Sequence, residues 1–381
     1  MPTNPKTFQK SRKEWSRWKH EILTNYLKAM TAILQAYGTI FYVDGFAGPG
    51  QYVDDGEEGS PLIAAKHAKN LSYSKRNYAL KCINVEYVPD VFSNLQNATE
   101  AYGKWVHNFH GDFSNLVPTI LEAIGEQPTL FFLDPIGIAD LTWGSLEPMF
   151  KRPSKTELLV RFDAQTALRL TGEGKNLHNT FNSVLGETNS EFWQSYLADC
   201  ENSSQARREC LTKAYVDKLR QYYEFVGRIP IKSADDSLRY YLLFATKSTK
   251  GMQVMNDVCF KMQDLRDRTL DEERRAQGMR QQIDMFEPNP EKKTLNELEA
   301  LKQVVCAELE SGESCVRDEL RGRVASQGDN FGRFSSSQFT AVLGGRPRGL
   351  SVPKDFENLK DRIQIHNDKK WGSDKVEISL K

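Results

Sequence analysis

The sequence lacks long apolar runs and an excess of charge of one sign. Its longest apolar run lies around Thr129–Leu133, far short of the ~18–20 residues that a membrane-spanning helix needs. The first twenty residues are polar and have no apolar core typical of a secretory signal. Lys and Arg number 51, Asp and Glu also 51, and the formal net charge is zero. We therefore expect no membrane association and no coating of nucleic acid by overall charge, although a local basic patch remains open.

Clustered cysteines are lacking as well. The absence of any C-x-x-C spacing argues against a zinc ribbon or an iron–sulfur cradle within this chain. We expect no metal site, free thiols and a reduced, cytoplasmic protein. The six cysteines are Cys82, Cys200, Cys210, Cys259, Cys306 and Cys315.

Apolar segments of strand length alternate with segments of helical periodicity in the first half of the chain. An amphipathic helix over 12–37 comes first, and a helix over 61–70 follows Ser60-Pro61. This alternation predicts an α/β fold with a mostly parallel sheet that is covered on both faces. The five predicted strands lie within 39–50, 79–87, 105–113, 128–137 and 156–162.

The pattern changes after residue 162. Residues 167–224 are predicted to form a helical insert, and the segments 225–234 and 239–248 a terminal antiparallel hairpin. A helix over 251–280 then leads into 285–293, which we interpret as a linker because it holds two prolines and four charges. We expect one domain over 1–285 and a second over 294–381.

The tail predicts three short helices and a ribbon, an arrangement typical of a winged helix-turn-helix. Capping boxes at Thr294-x-x-Glu297 and Ser335-x-x-Gln338 start two of the helices, the middle one spans 314–325, and the ribbon is 344–350. Between 320 and 354 the sequence has six basic residues and a single acidic one, Asp329. They predict a nucleic-acid surface, with a protein-interaction surface as the alternative. The candidate arginines are Arg321, Arg323, Arg333, Arg346 and Arg348.

The motif richest in glycine directly follows the first predicted strand, as Asp44-Gly45-Phe46-Ala47-Gly48-Pro49-Gly50. Glycines let the backbone turn sharply and approach a ligand closely, and open α/β sheets bind nucleotide-like ligands at this position. Ten residues separate the motif from the next helix, which weakens a dinucleotide interpretation. On its own, the motif does not distinguish a ligand loop from a simple turn.

Carboxylates follow four consecutive strands, and together they predict one crevice. Asp44, Glu86, Asp112 and Asp134 end the first, second, third and fourth strands. Glu86 is placed to accept from ribose hydroxyls, and Asp112 from an exocyclic adenine amine. Taken singly, each carboxylate is equally typical of a helix N-cap or a turn.

In their order, these motifs resemble class I S-adenosylmethionine-dependent methyltransferases. More specifically, FYVDGFAGPG, GSPL, FFLDPIG, TELLVRF and YYLLFATKSTKG resemble the three-Cys-motif partner protein family (TcmP) over roughly residues 12–285. The tail resembles a winged helix-turn-helix domain appended to that family. The resemblance implies a Rossmann-like sheet, S-adenosylmethionine as cofactor, and a companion protein that carries a three-cysteine iron–sulfur motif.

Site residues follow from the resemblance position by position. Glu86 matches the ribose-binding acid, and Asp112 with Phe113 the adenine-binding position. The motif that would wrap the methionine part of the cofactor comprises Asp44, Gly45, Phe46, Ala47, Gly48 and Gly50. The catalytic loop comprises Asp134, Pro135 and Gly137.

Asp134-Pro135 is similar to the loop of enzymes that methylate exocyclic amines. In that loop an acidic side chain and a backbone carbonyl accept the amine hydrogens, and an aromatic ring stacks on the flipped base. Here Ile136-Gly137 replaces the proline and the aromatic residue, so the ring is missing at that position. A nucleic-acid exocyclic amine is nevertheless the acceptor that the sequence favours.

Two further functions stay open. One is a non-catalytic or cofactor-binding partner of the iron–sulfur protein, and the other is an NAD-dependent oxidoreductase. The loop gap and the lack of a tyrosine–lysine pair argue against the oxidoreductase. Lys19 and His20, on the first helix, are within reach of the crevice, but we interpret both as part of a solvated helix face.

Overall fold

The computed structural model describes residues 14–52, 56–73, 78–233, 235, 237–276, 290–310, 314–367, 369 and 375–380 of the chain. By their internal contacts the residues divide into two compact units, Met1–Lys247 and Ser248–Lys381. Each unit has its own sheet and its own apolar core. None of the helices within the described ranges is long and apolar enough to cross a membrane.

Strands and helices alternate through the first unit, as the apolar segments predict. The strands are β1 Thr39–Asp44, β2 Ala79–Glu86, β3 Val106–His110, β4 Thr129–Leu133, β5 Thr156–Phe162, β6 Phe225–Lys232 and β7 Leu238–Thr246. The helices are α1 Glu14–Ile33, α2 Ser60–Tyr73, α3 Pro89–Thr99, α4 Phe113–Ile124, α5 Trp143–Phe150, α6 Ala164–Leu170, α7 Lys175–Leu185, α8 Glu191–Ala198 and α9 Ser204–Leu219.

The seven strands form one sheet in the order β3-β2-β1-β4-β5-β7-β6. β1 pairs in parallel with β2 and β4, and β7 runs antiparallel to both β5 and β6. The predicted Rossmann-like, mostly parallel sheet with a terminal antiparallel hairpin is therefore confirmed. The strand order reverses between β1 and β4, and open α/β sheets bind ligands in the crevice at such a switch point.

Helix α1 is fixed to the sheet by a buried apolar face and by one polar contact. Ile22, Leu23 and Leu27 are almost completely buried. The Tyr26 hydroxyl donates to Glu157 Oε2 at 2.6 Å, and the Thr246 hydroxyl donates to Glu157 Oε1 at 3.1 Å. Since Glu157 lies on β5 and Thr246 on β7, this contact sets the position of α1 against two strands.

The second unit is built from the helices α10 Thr249–Ala276, α11 Pro290–Glu310, α12 Arg317–Ser326 and α13 Ser336–Val342 and the strands β8 Cys315–Val316, β9 Ile363–Ile365 and β10 Glu377–Leu380. The strands form a small antiparallel sheet in the order β8-β10-β9. Its core includes Leu298, Leu301 and Val305 of α11. A capping box begins α13 as predicted, because Ser335 Oγ accepts from the Gln338 amide and Gln338 Oε1 accepts from the Ser335 amide.

Helix α10 belongs to the second unit, so the division at Lys247 lies well before the segment that we interpreted as a linker. Asn256 holds it there, donating to the Phe334 carbonyl at 2.8 Å and accepting from the Gly332 amide at 2.8 Å. Of the predicted linker, 285–289 lie outside the described residues, and 290–293 form the first turn of α11.

Two local predictions in the tail are wrong. The helix α11 begins at Pro290, so Thr294 lies inside it and does not cap it. Residues 344–350 contain no strand, and the hairpin is formed instead by β9 and β10 further along the chain. Three glycines and a proline within 344–350 favour turns, and they give no cross-strand pairs of side chains to hold a ribbon.

The expectation of six free thiols is wrong for two of them. Cys200 and Cys210 form a disulfide, with their Cα atoms 6.5 Å apart. The turn between α8 and α9 brings them together, which no spacing motif announces. The other four cysteines are free.

Candidate active site

A cavity of about 440 Å³ opens in the first unit where β1, β2, β4 and β5 end, at the switch point of the sheet. The predicted site residues that line it are Gly45, Phe46, Ala47, Gly48, Gly50, Glu86, Asp112, Phe113 and Asp134. Three others, Asp44, Pro135 and Gly137, are not among its lining residues. The lining also includes residues that the sequence did not single out, among them Ser16, Tyr52, Asp140 and Arg161.

The glycine loop makes the first of two distinct ends of this cavity. Gly48 and Gly50 have φ angles of +68° and +79°, in the left-handed region that favours glycine. A Cβ on Gly50 would lie 3.1 Å from the Ala98 Cβ, whereas a Cβ on Gly48 would meet nothing within 4 Å. The loop therefore turns tightly against α3 at one glycine and leaves space at the other. We call residues 45–50 together with Glu86 the glycine-loop end.

The amides of this loop are engaged within the protein. Gly45 donates to the Phe132 carbonyl at 3.0 Å, and Ala47 donates to the Val85 carbonyl at 2.9 Å. Phe46 donates to Asp44 Oδ1 at 3.2 Å, and Gly48 to Glu86 Oε2 at 2.9 Å. Four successive N–H groups are thus used by the fold, and they do not form the cradle of free donors that a pyrophosphate requires.

Glu86 both holds the loop and faces the cavity. Its second oxygen, Oε1, accepts from the Val88 amide at 2.8 Å, so two backbone donors orient the carboxylate. Burial raises its pKa, and the hydrogen bonds from Val88 and Gly48 oppose that shift. Each carboxylate oxygen has a further lone pair, which leaves acceptor capacity for hydroxyl groups of a ligand.

Asp44 lies underneath the loop. It is completely buried and accepts from the Tyr42 hydroxyl at 2.9 Å as well as from the Phe46 amide. Burial raises its pKa from 3.8 to about 6. Its contacts support the loop from below, so the structure gives Asp44 a positioning role.

Asp112 combines the two interpretations that the sequence left open. It caps α4 by accepting from the Asn115 amide at 3.2 Å, and it also lines the cavity. Asp140, which the sequence did not indicate, lines the cavity too, and burial together with the charge of Asp112 raises its pKa.

Asp134 belongs to a second group of residues at the cavity, which ion pairs hold together. Lys19 Nζ donates to Asp134 Oδ2, and Arg161 Nη1 lies 3.8 Å from Asp134 Oδ1. The same Arg161 nitrogen donates to the Pro135 carbonyl at 3.1 Å, while Nη2 lies 3.8 Å from Asp163. The side chains of Lys19 and Arg161 are only 5% and 12% exposed. We call Lys19, Asp134 and Arg161 the ion-pair end.

The solvated helix face that we assigned to Lys19 and His20 is wrong. Both residues are buried, and His20 lines the cavity, with its ring 6.4 Å from that of Tyr52. A polar residue on an amphipathic helix reads as exposed until the fold supplies its partner. For Lys19 that partner is 115 positions away along the chain.

In the second unit, the five candidate arginines fall into two groups. Arg321 is largely buried, with Nη2 donating to the Ser336 hydroxyl and its guanidinium 5.8 Å from the Phe339 ring centroid, and Arg323 pairs with Glu308 and Glu319. The other three, Arg333, Arg346 and Arg348, are exposed. This second group exposes its guanidinium groups to phosphates without the loss of a salt bridge among the described residues, although Arg333 also lies over the Phe334 ring, 4.8 Å from its centroid.

The chain matches no protein-family model and no curated protein. Among solved structures it is similar to the O-methyltransferase TomG from Streptomyces achromogenes in complex with SAM, with 12% identity, 60% of this chain and 80% of that chain covered, and a TM-score of 0.33. It is also similar to an O-methyltransferase from Bacillus cereus in complex with SAH, with 10% identity, 62% of this chain and 83% of that chain covered, and a TM-score of 0.33. An RNA methyltransferase from Salinibacter ruber in complex with S-adenosyl-L-homocysteine has 19% identity, with 36% of this chain and 74% of that chain covered, and a TM-score of 0.23. At these values the likeness carries no argument about cofactor or substrate.

Proposed function

We propose that the chain is an S-adenosylmethionine-dependent methyltransferase. The observation that carries the proposal is the convergence of the glycine loop, Glu86, Asp112 and Asp134 on one cavity at the switch point of the sheet. The cavity volume lies in the range of small-molecule sites.

The residues present fit this cofactor. Glu86, oriented by two amides and with lone pairs to spare, would accept from the ribose hydroxyls. Asp112 and Phe113 would hold the adenine, and the open space beside Gly48 would admit the methionine part. When bound, the cofactor supplies a sulfonium methyl group that is already activated toward a nucleophile. The protein then has to hold the acceptor in line and exclude water.

The same loop argues against the oxidoreductase. A dinucleotide needs free backbone donors for its pyrophosphate, and the amides of residues 45–48 already have acceptors in the protein.

We further propose that the second unit is a winged helix-turn-helix that binds the nucleic-acid substrate. A strand between α11 and α12 and a β9–β10 hairpin after α13 support this, as do the exposed Arg333, Arg346 and Arg348. We also propose, from the order of the sequence motifs, that the chain belongs to the three-Cys-motif partner protein family and is cytoplasmic.

The contacts of Asp134 with Lys19 and Arg161 also fit a second function, because a purely structural role for Asp134 explains them equally well. In it, the chain binds the cofactor without catalysis and serves as partner of a three-cysteine iron–sulfur protein. Asp134→Ala separates the two proposals, since the enzyme loses transfer, whereas the partner never shows any.

Calorimetric titration of the full chain with S-adenosylhomocysteine, beside NAD, tests the cofactor. We expect micromolar binding of the first and none of the second. Glu86→Ala removes a charged acceptor from two ribose hydroxyls, so affinity should fall roughly 10- to 100-fold. Glu122→Ala, at an exposed position on α4, is the matched control. Equal affinity of Glu86→Ala and the unmodified chain would contradict the assignment.

A further inference from the structure

At the ion-pair end the two acceptors that an amine would use already bind cations, which points to a different acceptor atom. To orient an exocyclic amine, a site needs two hydrogen-bond acceptors, because the amine presents two N–H groups. The sequence assigned these roles to Asp134 and to the Pro135 carbonyl. In the structure Asp134 Oδ2 accepts from Lys19, and the Pro135 oxygen accepts from Arg161 at 3.1 Å.

One oxygen at this end accepts no hydrogen bond from the part of the chain that the structure describes. Asp134 Oδ2 and the Pro135 carbonyl each keep a second lone pair, but each is already bonded to a cation, and Pro135 is not among the residues that line the cavity. Among the described residues Asp134 Oδ1 has no hydrogen-bond partner, although it is buried and belongs to a residue that lines the cavity. Arg161 Nη1 is 3.8 Å away, outside hydrogen-bond distance. A single free acceptor matches the single O–H of a hydroxyl group.

A free donor accompanies it. Arg161 also lines the cavity, and its Nε–H finds no acceptor within the described part of the chain. An oxygen atom satisfies both groups, because it donates one hydrogen to Asp134 and offers a lone pair to Arg161. The nitrogen of an amine held for methylation has its one lone pair directed at the methyl group, so none is left for Arg161.

The charges agree with this count. Lys19 and Arg161 place two buried cations beside one carboxylate. Positive charge stabilises the negative charge that develops on a hydroxyl oxygen as it loses its proton. An amine attacks as a neutral nucleophile and has no such charge to stabilise.

We propose that the acceptor is a hydroxyl oxygen and, resting on the nucleic-acid methyltransferase proposed above, that it is the ribose 2′-hydroxyl of RNA. Along a nucleic-acid strand this hydroxyl is the group that RNA has and DNA lacks. The acceptor oxygen forms a bond to the methyl carbon of the donor while the carbon–sulfur bond breaks. The electron pair of the broken bond stays on sulfur. The hydroxyl proton passes to Asp134 Oδ1. Asp134 is the catalytic residue, and Lys19 and Arg161 are positioning residues.

Product analysis with the full chain tests the proposal. The chain is incubated with methyl-labelled donor and either a random-sequence RNA pool or the matching DNA pool, and the products are digested to nucleosides for mass spectrometry. We expect label in the RNA pool alone, with the methyl group on ribose. Label on a base nitrogen in either pool overturns the proposal and leaves the methyltransferase intact. Binding of S-adenosylhomocysteine without transfer to either pool overturns both the proposal and the nucleic-acid enzyme, and no binding removes the cofactor assignment itself.

Asp134→Asn gives an independent readout. Asparagine keeps the shape and an acceptor oxygen but does not take up a proton. We expect transfer to fall by at least roughly 100-fold, the effect of losing a general base, with affinity for S-adenosylhomocysteine within about twofold. An amine acceptor would leave transfer nearly unchanged, and that result overturns the proposal.

For the positioning role, Lys19→Met is compared with Lys19→Arg. The methionine variant should lower kcat about tenfold or more with cofactor affinity unchanged, and arginine should restore it by returning a cation to Asp134 Oδ2. Lys28→Met, at an exposed position on the same helix, is the control. Equal kcat in the two Lys19 variants would show that the charge of Lys19 plays no part in transfer.

Discussion

The two ends of the cavity differ in how the chain forms them. At the glycine-loop end, backbone amides and one carboxylate make the contacts, and the partners Gly48 and Glu86 are 38 positions apart. At the ion-pair end, side chains from α1, β5 and the loop after β4 meet, with Lys19 and Asp134 115 positions apart. The first end is marked by a local glycine pattern. The second exists only after the sheet has assembled, because buried charges depend on partners that the fold supplies.

The largest effect that we expect concerns the support beneath the glycine-loop end. Burial raises the pKa of Asp44 from 3.8 to about 6, so the folded chain binds this proton more tightly than the unfolded chain does. The stabilisation is complete below about pH 4 and is lost as the pH rises through 6, by about 3 kcal/mol in total.

Asp44→Asn should remove this pH dependence. Urea denaturation between pH 4 and 7 measures it, as the difference in unfolding free energy between the two proteins at each pH. Asp267→Asn, at an exposed carboxylate, should follow the unmodified chain. A constant difference between Asp44→Asn and the unmodified chain would mean that folding leaves the pKa of Asp44 unchanged.

A smaller effect separates loop strain from loop function. Gly50→Ala places a Cβ 3.1 Å from the Ala98 Cβ at a φ of +79°, whereas Gly38→Ala has a similar φ of +75° and open space. Both variants should lose about 1–2 kcal/mol of stability to the left-handed conformation. Only Gly50→Ala should also weaken binding of S-adenosylhomocysteine, by about tenfold, because the loop must shift away from α3. Equal binding by the two variants would break the link between loop geometry and the cofactor.

The smallest effect tests whether the ion-pair end acts separately from the glycine-loop end. Arg161→Lys keeps one charge but loses the fork that reaches the Pro135 carbonyl, Asp134 and Asp163 together. We expect methyl transfer to fall about tenfold, with cofactor affinity within about twofold. Arg169→Lys, at an exposed position on α6, should change neither quantity. A loss of cofactor affinity in Arg161→Lys would mean that the two ends are coupled.

The sequence predicts those parts of the structure that short-range patterns determine. The five parallel strands follow from apolar runs, as in β4, where all five residues are buried. The hairpin of β6 and β7 and the Ser335 capping box also follow from local residue types. The glycine motif indicates the loop because few residues other than glycine adopt its backbone angles.

Features that depend on distant partners are not predicted. The sequence predicts Lys19 to be exposed, because its partner Asp134 is distant in the chain. Arg161 is not singled out, because it lies inside the apolar strand β5. Cys200 and Cys210 pair through the turn between α8 and α9. The ribbon of the second unit lies at β9 and β10 and not at 344–350, because pairing partners, not turn residues, decide where strands form.

The sequence separation of Lys19 and Asp134 also has a consequence during synthesis of the chain. At typical translation rates of ~5–20 residues per second, Asp134 emerges roughly 6–23 s after Lys19. During that interval the Lys19 ammonium group lacks the Asp134 carboxylate. Its transfer out of water is deferred until β4 is made and the sheet closes over α1. The nascent chain therefore acquires the glycine loop early and completes the reactive centre only after Arg161 has been made.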